Sequence, residues 1–179
     1  MIDGEEKLII DAISGEASAF GLLYDKYQPQ IYRFIYLKVS HREEAEDLAH
    51  QVFFKAWQNI GNYQIKGLPF TSWLYRIARN EVIDHYRTRK PNLNIEIIEE
   101  PAGNDPVEQG IDNAIKIEAI RKAILQLNQE QQDVIIMRFV EELSFGEIAK
   151  AMDKSHGAVR ILQHRAIKNL RKILNIRNG

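Results

Sequence analysis

The residues best suited to chemistry lie between Asn62 and Arg89, and that chemistry is the holding of an unpaired, anionic strand. The segment Asn62 to Pro69 (NYQIKGLP) combines a cation, an aromatic ring and amides. Lys66 suits a phosphate, an aromatic face suits an unstacked base, and Asn62 can hydrogen-bond a base edge. The following stretch, FTSWLYRIARNEVIDHYRTR, reads as one helix with two unlike surfaces. Advancing about 100° per residue, Phe70, Trp73, Leu74, Ile77, Ala78 and Val82 share a wide apolar arc. Arg76, Arg79, Asn80, Ile83 and Arg87 take the other side. Taken alone, the stretch fits equally an ordinary core helix with a solvated basic face.

Such a helix needs elements to position it. An amphipathic pattern runs from about Glu5 to Ile13, and a second from about Glu16 through Phe20, Leu23, Tyr27, Ile31 and Phe34. Pro29 is expected to kink or restart that second helix, because it removes a backbone donor. Ser40 with Glu43 reads as a capping box for a third helix, HREEAEDLAHQVFFKAWQNIG, closed by Gly61. Its core stripe is Ala45, Leu48, Ala49, Val52, Ala56 and Ile60. Asp47, His50, Gln51 and Phe54 recur on another face, where an aromatic among polar groups has the look of a protein-binding hot spot.

Beyond Lys90-Pro91 the composition changes. Residues 91–118 hold one basic and seven acidic residues, and 91–112, with Pro101, Gly103, Pro106 and Gly110, read as a flexible acidic linker. Helical pattern resumes from Ala114 to Leu127, Asn128 with Gln131 caps a further helix, and Ser144 with Glu147 forms a capping box opening Phe145 to Met152. Asp153-Lys154 makes a tight turn and Ser155 caps a last helix running to about Leu174. Two helices on a short turn, the second strongly basic, form a helix-turn-helix signature. Ser155, His156, Arg160, Gln163 and His164 are then directed at base edges and phosphates, with Arg165 and Lys168 on the backbone.

The charge pattern agrees with two contacts on one polyanion. Residues 61–90 carry six basic against two acidic residues, and residues 154–179 carry seven basic and no acidic ones, in a chain whose net charge is −1. Cysteine is absent, so disulfides and thiolate metal sites are excluded. His41 with Glu44, Asp47 with His50 and Asp84 with His85 do not reach a spacing such as HExxH, and no Gly-rich phosphate loop is present. No catalytic residue, metal or cofactor is expected, nor a membrane segment within this chain, and a cytoplasmic location is expected. The residues alone leave open a helix-turn-helix regulator with a helical sensing or dimerisation domain.

Taken together, AEDLAHQVFFKAW, FTSWLYRIARN and LSFGEIAKAMDKSHGAVR, in that order, resemble the bacterial RNA polymerase sigma factors of the extracytoplasmic-function (ECF) class, in the sigma-70 family. The resemblance implies an all-α chain of two small helical domains. Residues 1–90 would bind core polymerase and read and melt the minus-ten element, the Asn62 to Pro69 loop capturing a flipped non-template base while Trp73, Arg76, Asn80 and Arg87 hold the adjacent strand; 91–112 would be the linker, and 113–179 would read the minus-35 element. It implies core RNA polymerase (the largest-subunit clamp, and the flap), promoter DNA and an anti-sigma factor as partners. His50 stands where the family commonly has Gln, Asp153 replaces a turn glycine, and Ala158 and Ile161-Leu162 depart from the usual Thr and Ser-Arg of the recognition helix.

Overall fold

The computed structural model describes residues 3–89 and 108–176, with backbone only for 108–112. Among the described residues every regular element is helical, as the sequence pattern required. The N-terminal half comprises α1 (Gly4–Ile13), α2 (Ala17–Val39), α3 (Arg42–Asn59) and α4 (Phe70–Thr88), with a 3₁₀ turn at Ile60–Asn62. The C-terminal half comprises α5 (Glu108–Leu125), α6 (Gln129–Ile135), which continues as a π-helical segment Ile136–Val140, then α7 (Phe145–Met152) and α8 (His156–Ile173). Of the expected linker, residues up to 107 lie outside the described part, and from Glu108 the chain is already helical.

The N-terminal core is built where α2, α3 and α4 pack pairwise. Ile31, Phe34 and Ile35 of α2, Val52 of α3, and Leu74, Tyr75 and Val82 of α4 lose essentially all solvent contact. Each such side chain contributes about 1.5–3 kcal/mol of transfer free energy. Edge-to-face packing of Phe34 on Tyr75, with centroids 5.4 Å apart, adds directional contact to that core.

Three local expectations are corrected. Pro29 lies inside an unbroken α2; the carbonyl its missing N–H would have bonded belongs to the exposed Asp25, which solvent can satisfy, while buried Tyr27 and Ile31 hold the helix on either side. Ser40 does not open α3. It closes α2 in a left-handed conformation (φ 54°), which excludes the extended backbone of an N-cap, and His41 caps α3 instead, its Nδ1 accepting the Glu44 N–H at 3.4 Å. Gly61 supplies no left-handed terminus either, because the 3₁₀ turn tightens the end of α3.

The C-terminal half follows its caps closely. Asn128 accepts from the Gln131 N–H, and Ser144 and Glu147 form both bonds of a capping box. Asp153 takes the left-handed position (φ 54°) between α7 and α8, and Ser155 Oγ accepts from the Ala158 N–H at 3.1 Å. Ile148, Ala149 and Val159 are buried, so α7 and α8 meet where a helix-turn-helix requires.

The halves pack on each other, α4 against α7 and α2 against the π-helical segment. Apolar side chains of both halves belong to one core cluster, and ion pairs cross the joint beside it. Lys38 of α2 donates to Asp133 of α6, and Arg79 Nε of α4 reaches the other oxygen of the same carboxylate at 2.7 Å. The side chains of Lys38 and Asp133 are both fully buried. Arg33 makes a two-pronged bond to Glu141 at 2.8 and 2.7 Å.

Candidate nucleic-acid and polymerase-binding surfaces

The surface expected on α3 is present as an exposed stripe. Asp47, His50, Gln51 and Phe54 all face solvent, and Phe54 remains 59% exposed. Phe54 is therefore not covered by α1 and α2, but it borders a groove between α2 and α3. That groove encloses about 390 Å³ and is walled by Phe20, Tyr24, His50, Phe53, Phe54 and Trp57. Its aromatic walls are packed in place: Phe20 lies 5.0 Å from Trp57, and Tyr24 4.8 Å from Phe53, centroid to centroid. An exposed apolar cleft beside an acid and an amide can take the apolar face of a partner helix. Phe20, Tyr24 and Trp57 were not singled out from sequence, because α2 and α3 meet only in the fold; aromatic residues on the flanks of two amphipathic stripes were the available signal.

The loop before α4 divides into exposed and buried members. Asn62 and Lys66 are exposed. The loop's aromatic, Tyr63, is not offered to a base: it is buried against Phe70 and Trp73, and its hydroxyl donates to the Leu68 carbonyl. Burial pushes its phenol up to about 12. Trp73 is half-buried in the same cluster, 5.0 Å from Tyr63 and 5.6 Å from Phe70.

On α4 itself, Asn80 and Arg87 are exposed, Arg87 pairing with Asp84 at 2.6 Å. Arg76 and Arg79 are engaged. Arg76 donates to the Lys150 carbonyl at the end of α7, while its Nε is buried and meets no acceptor among the described residues. Ser72, fully buried, donates to the Glu147 carbonyl at 2.8 Å. Sequence reasoning placed Arg79 on a solvent face and overlooked Lys38. The available signal for Lys38 was its register with Ile31, Phe34 and Ile35, which puts a lysine on an apolar stripe. Burial holds the Lys38 ammonium below the ordinary lysine range, against the opposing pull of Asp133.

The residues expected to read duplex DNA are gathered on the outer side of α8. His156, Arg160, His164, Arg165 and Lys168 are exposed and Gln163 is half-buried. Ser155 is exposed too, although its oxygen serves as the cap. Arg160 lies over the Phe145 ring, 5.3 Å from its centroid, beside Arg138 at 4.9 Å. Among the described residues no three His, Cys, Asp or Glu side chains are grouped to hold a metal, and no helix is long and apolar enough to cross a membrane. Asp84 and His85 do not act as a pair, because His85 turns to Glu44 at 3.3 Å.

Comparison with known proteins assigns a family to each half of the chain. Residues 23–91 match the Sigma-70 region 2 family, and residues 123–172 match the Sigma-70, region 4 family. The ECF RNA polymerase sigma factor BldN of Streptomyces coelicolor is 37% identical across 94% of this chain, which spans 65% of that relative's length. The ECF RNA polymerase sigma factor SigW of Bacillus subtilis is 32% identical over 94% of this chain and 96% of its own. Two solved structures share the fold at low identity. CnrH, solved in complex with the cytosolic domain of CnrY, has a TM-score of 0.76 at 21% identity, covering 98% of this chain and 100% of its own. The sigma factor RpoE, solved with the anti-sigma factor NepR from Bartonella quintana, has a TM-score of 0.70 at 22% identity, covering 89% of this chain and 98% of its own.

Proposed function

This chain belongs to the ECF class of the sigma-70 family, and from that premise we propose which of its surfaces carry out the work of an RNA polymerase sigma factor, directing polymerase to specific promoters. The observation that carries the functional conclusion is the pair of family matches in order along one chain, region 2 on the α2–α4 bundle and region 4 on the helix-turn-helix. A separate regulator built on a sensing domain is not favoured, since region 2 accounts for most of the N-terminal half.

The α3 stripe of Asp47, His50, Gln51 and Phe54, with the aromatic groove beside it, docks core polymerase through the clamp of the largest subunit. The exposed Asn62, Lys66 and Asn80, with Arg76, Arg87 and the half-buried Trp73, bind the minus-ten strand as it leaves the duplex. On α8, Ser155, His156, Arg160, Gln163, His164, Arg165 and Lys168 read the minus-35 element. The domain limits are residues 1–90 and 113–179. Promoter opening costs a few kcal/mol for each base removed from the stack, and stacking with pocket contacts of about 1–3 kcal/mol per base offsets it without nucleotide hydrolysis. An anti-sigma protein is a further partner, in keeping with the Bartonella RpoE complex.

In vitro transcription with purified core polymerase tests the function: start sites should depend on this chain, and none at saturating chain over genomic fragments overturns it. For the surfaces, Asp47→Ala with Phe54→Ala should abolish co-purification with core polymerase. Lys66→Ala and Asn80→Ala should reduce permanganate reactivity of the opened promoter while polymerase binding persists.

A further inference from the structure

We propose that Ile161 reads the methyl group of a thymine in the minus-35 element, as the apolar specificity contact of an otherwise cationic recognition surface. The inference rests on the reading of α8 as the helix that meets duplex DNA. Val159 is buried, and Leu162, Ile167, Leu170 and Ile173 pack against the core, so the inward face of α8 is complete without Ile161. Ile161 stands outside that face and is 55% exposed. At about 100° per residue, Gly157, His164, Arg165 and Lys168 fall within about 60° of it around the helix axis, and all four are exposed. The isoleucine is therefore set within the basic face and not at its border with the core.

The surroundings select the occupant. Residues 154–179 hold no acidic side chain, so a surface that covers Ile161 must bring anions to Arg165 and Lys168 and an apolar group to the space between them. Duplex DNA supplies both, since phosphates flank the major groove and thymine places a methyl group on its floor. The position along the helix suits a base contact. Ser155 caps α8, which puts Ile161 in the second turn, in the N-terminal part of a recognition helix that meets base edges. A helical side chain leans toward the N-terminus over the preceding turn, and for Ile161 that turn carries Gly157. A Cβ at Gly157 would meet nothing within 4 Å, and its φ is not left-handed. Neither packing nor backbone conformation calls for glycine there, and its bareness lets a base edge approach the isoleucine closely.

The test uses the full chain assembled with core polymerase, titrated onto a fluorescent duplex that carries the minus-35 element of a start site mapped by in vitro transcription. Deoxyuridine in place of thymidine removes only the methyl group and keeps the base pair. Carried through both strands of the element one position at a time, the replacement should weaken binding at one position by about fourfold, the factor that corresponds to one buried methyl group. Ile161→Ala should bind the parent duplex and that deoxyuridine duplex alike, while Ile161→Val should keep the discrimination. Both variants should melt as the parent chain does, because the side chain is exposed. Equal affinity of the parent chain for every deoxyuridine duplex overturns the inference, as does an undiminished preference for thymidine in Ile161→Ala. Weaker binding of Ile161→Ala to core polymerase without DNA also overturns it, and assigns the isoleucine to a protein partner. Arg165→Ala combined with Lys168→Ala separates the inference from its premise. Weaker binding to both duplexes keeps α8 on DNA even where Ile161 fails, whereas unchanged binding to both discards that reading of α8 as well.

Discussion

Helices α4 and α8 are both basic, yet they stand in opposite circumstances. On α4, Arg76 and Arg79 are covered by the other half of the molecule, and Arg79 shares a carboxylate with the buried Lys38. On α8, Arg165 and Lys168 are exposed and form no ion pair among the described residues. The sequence around α8 explains part of this, since residues 154–179 contain no acidic side chain. A basic helix is thus a site only when its charges are available, and availability is decided by what the fold places opposite.

The largest effect expected from breaking this contrast comes from Lys38. Lys38→Ala leaves Asp133 buried with Arg79 alone and should lower the stability of the closed arrangement by about 3–5 kcal/mol. A single denaturation transition should split into two, one for each half; one transition at an unchanged midpoint would mean that α4 is held by something other than this cluster. Next comes alkaline pH, which should strike one half only. All seven tyrosines lie before residue 87. Burial raises the phenols of Tyr27 and Tyr75 and pushes Tyr63 up to about 12. A phenol with a raised pKa in the folded chain contributes stability that is complete below its unfolded value near 10 and is lost as pH rises through 10 to 12. Melting of the Lys38→Ala variant, whose halves unfold separately, followed by circular dichroism at pH 11 should therefore show the N-terminal transition lowered and the C-terminal one in place.

What could be read beforehand divides along the same line. Helices α7 and α8 were legible nearly to the residue, because Ser144, Asp153 and Ser155 are local signals, each acting within one turn, whereas α5 begins at Glu108, six residues ahead of the expected Ala114, where no cap marks its start in the sequence. The N-terminal bundle was legible in its apolar stripes and in the exposure of Phe54, which follow from helical period. Tyr63 was misread because its fate depends on Phe70 and Trp73 closing over it. Lys38 and Asp133, 95 positions apart, were beyond any local rule: each alone is a charged residue in an amphipathic helix. Only the packing of α2 and α4 against the C-terminal half turns them into a joint.

A gentler change leaves the joint alone and tests α8. Ser155→Ala removes the N-cap of that helix and should cost about 1 kcal/mol. The loss should fall on the C-terminal transition, read by calorimetry on the Lys38→Ala background, where the halves melt separately. An equal fall in both transitions would show that the halves remain one cooperative unit even without the buried lysine.

The smallest effect gives the sharpest comparison of the two helices, because it weighs one cation against another on duplex DNA. A phosphate contact contributes about 0.9 to the slope of log affinity against log salt. Lys168 is exposed on α8, so Lys168→Ala should lower that slope by roughly one, whether the halves are closed or apart. Arg76 already spends its guanidinium on the Lys150 carbonyl. Arg76→Ala in the otherwise unaltered chain should leave the slope nearly untouched, and the same change beside Asp133→Asn, which leaves Lys38 and Arg79 facing a neutral amide and parts the halves, should lower it by roughly one. Titrations between low and moderate salt on one duplex suffice. Should Arg76→Ala flatten the slope equally in both backgrounds, then α4 meets DNA without any separation of the halves, and the contrast between an occupied and an open basic helix fails.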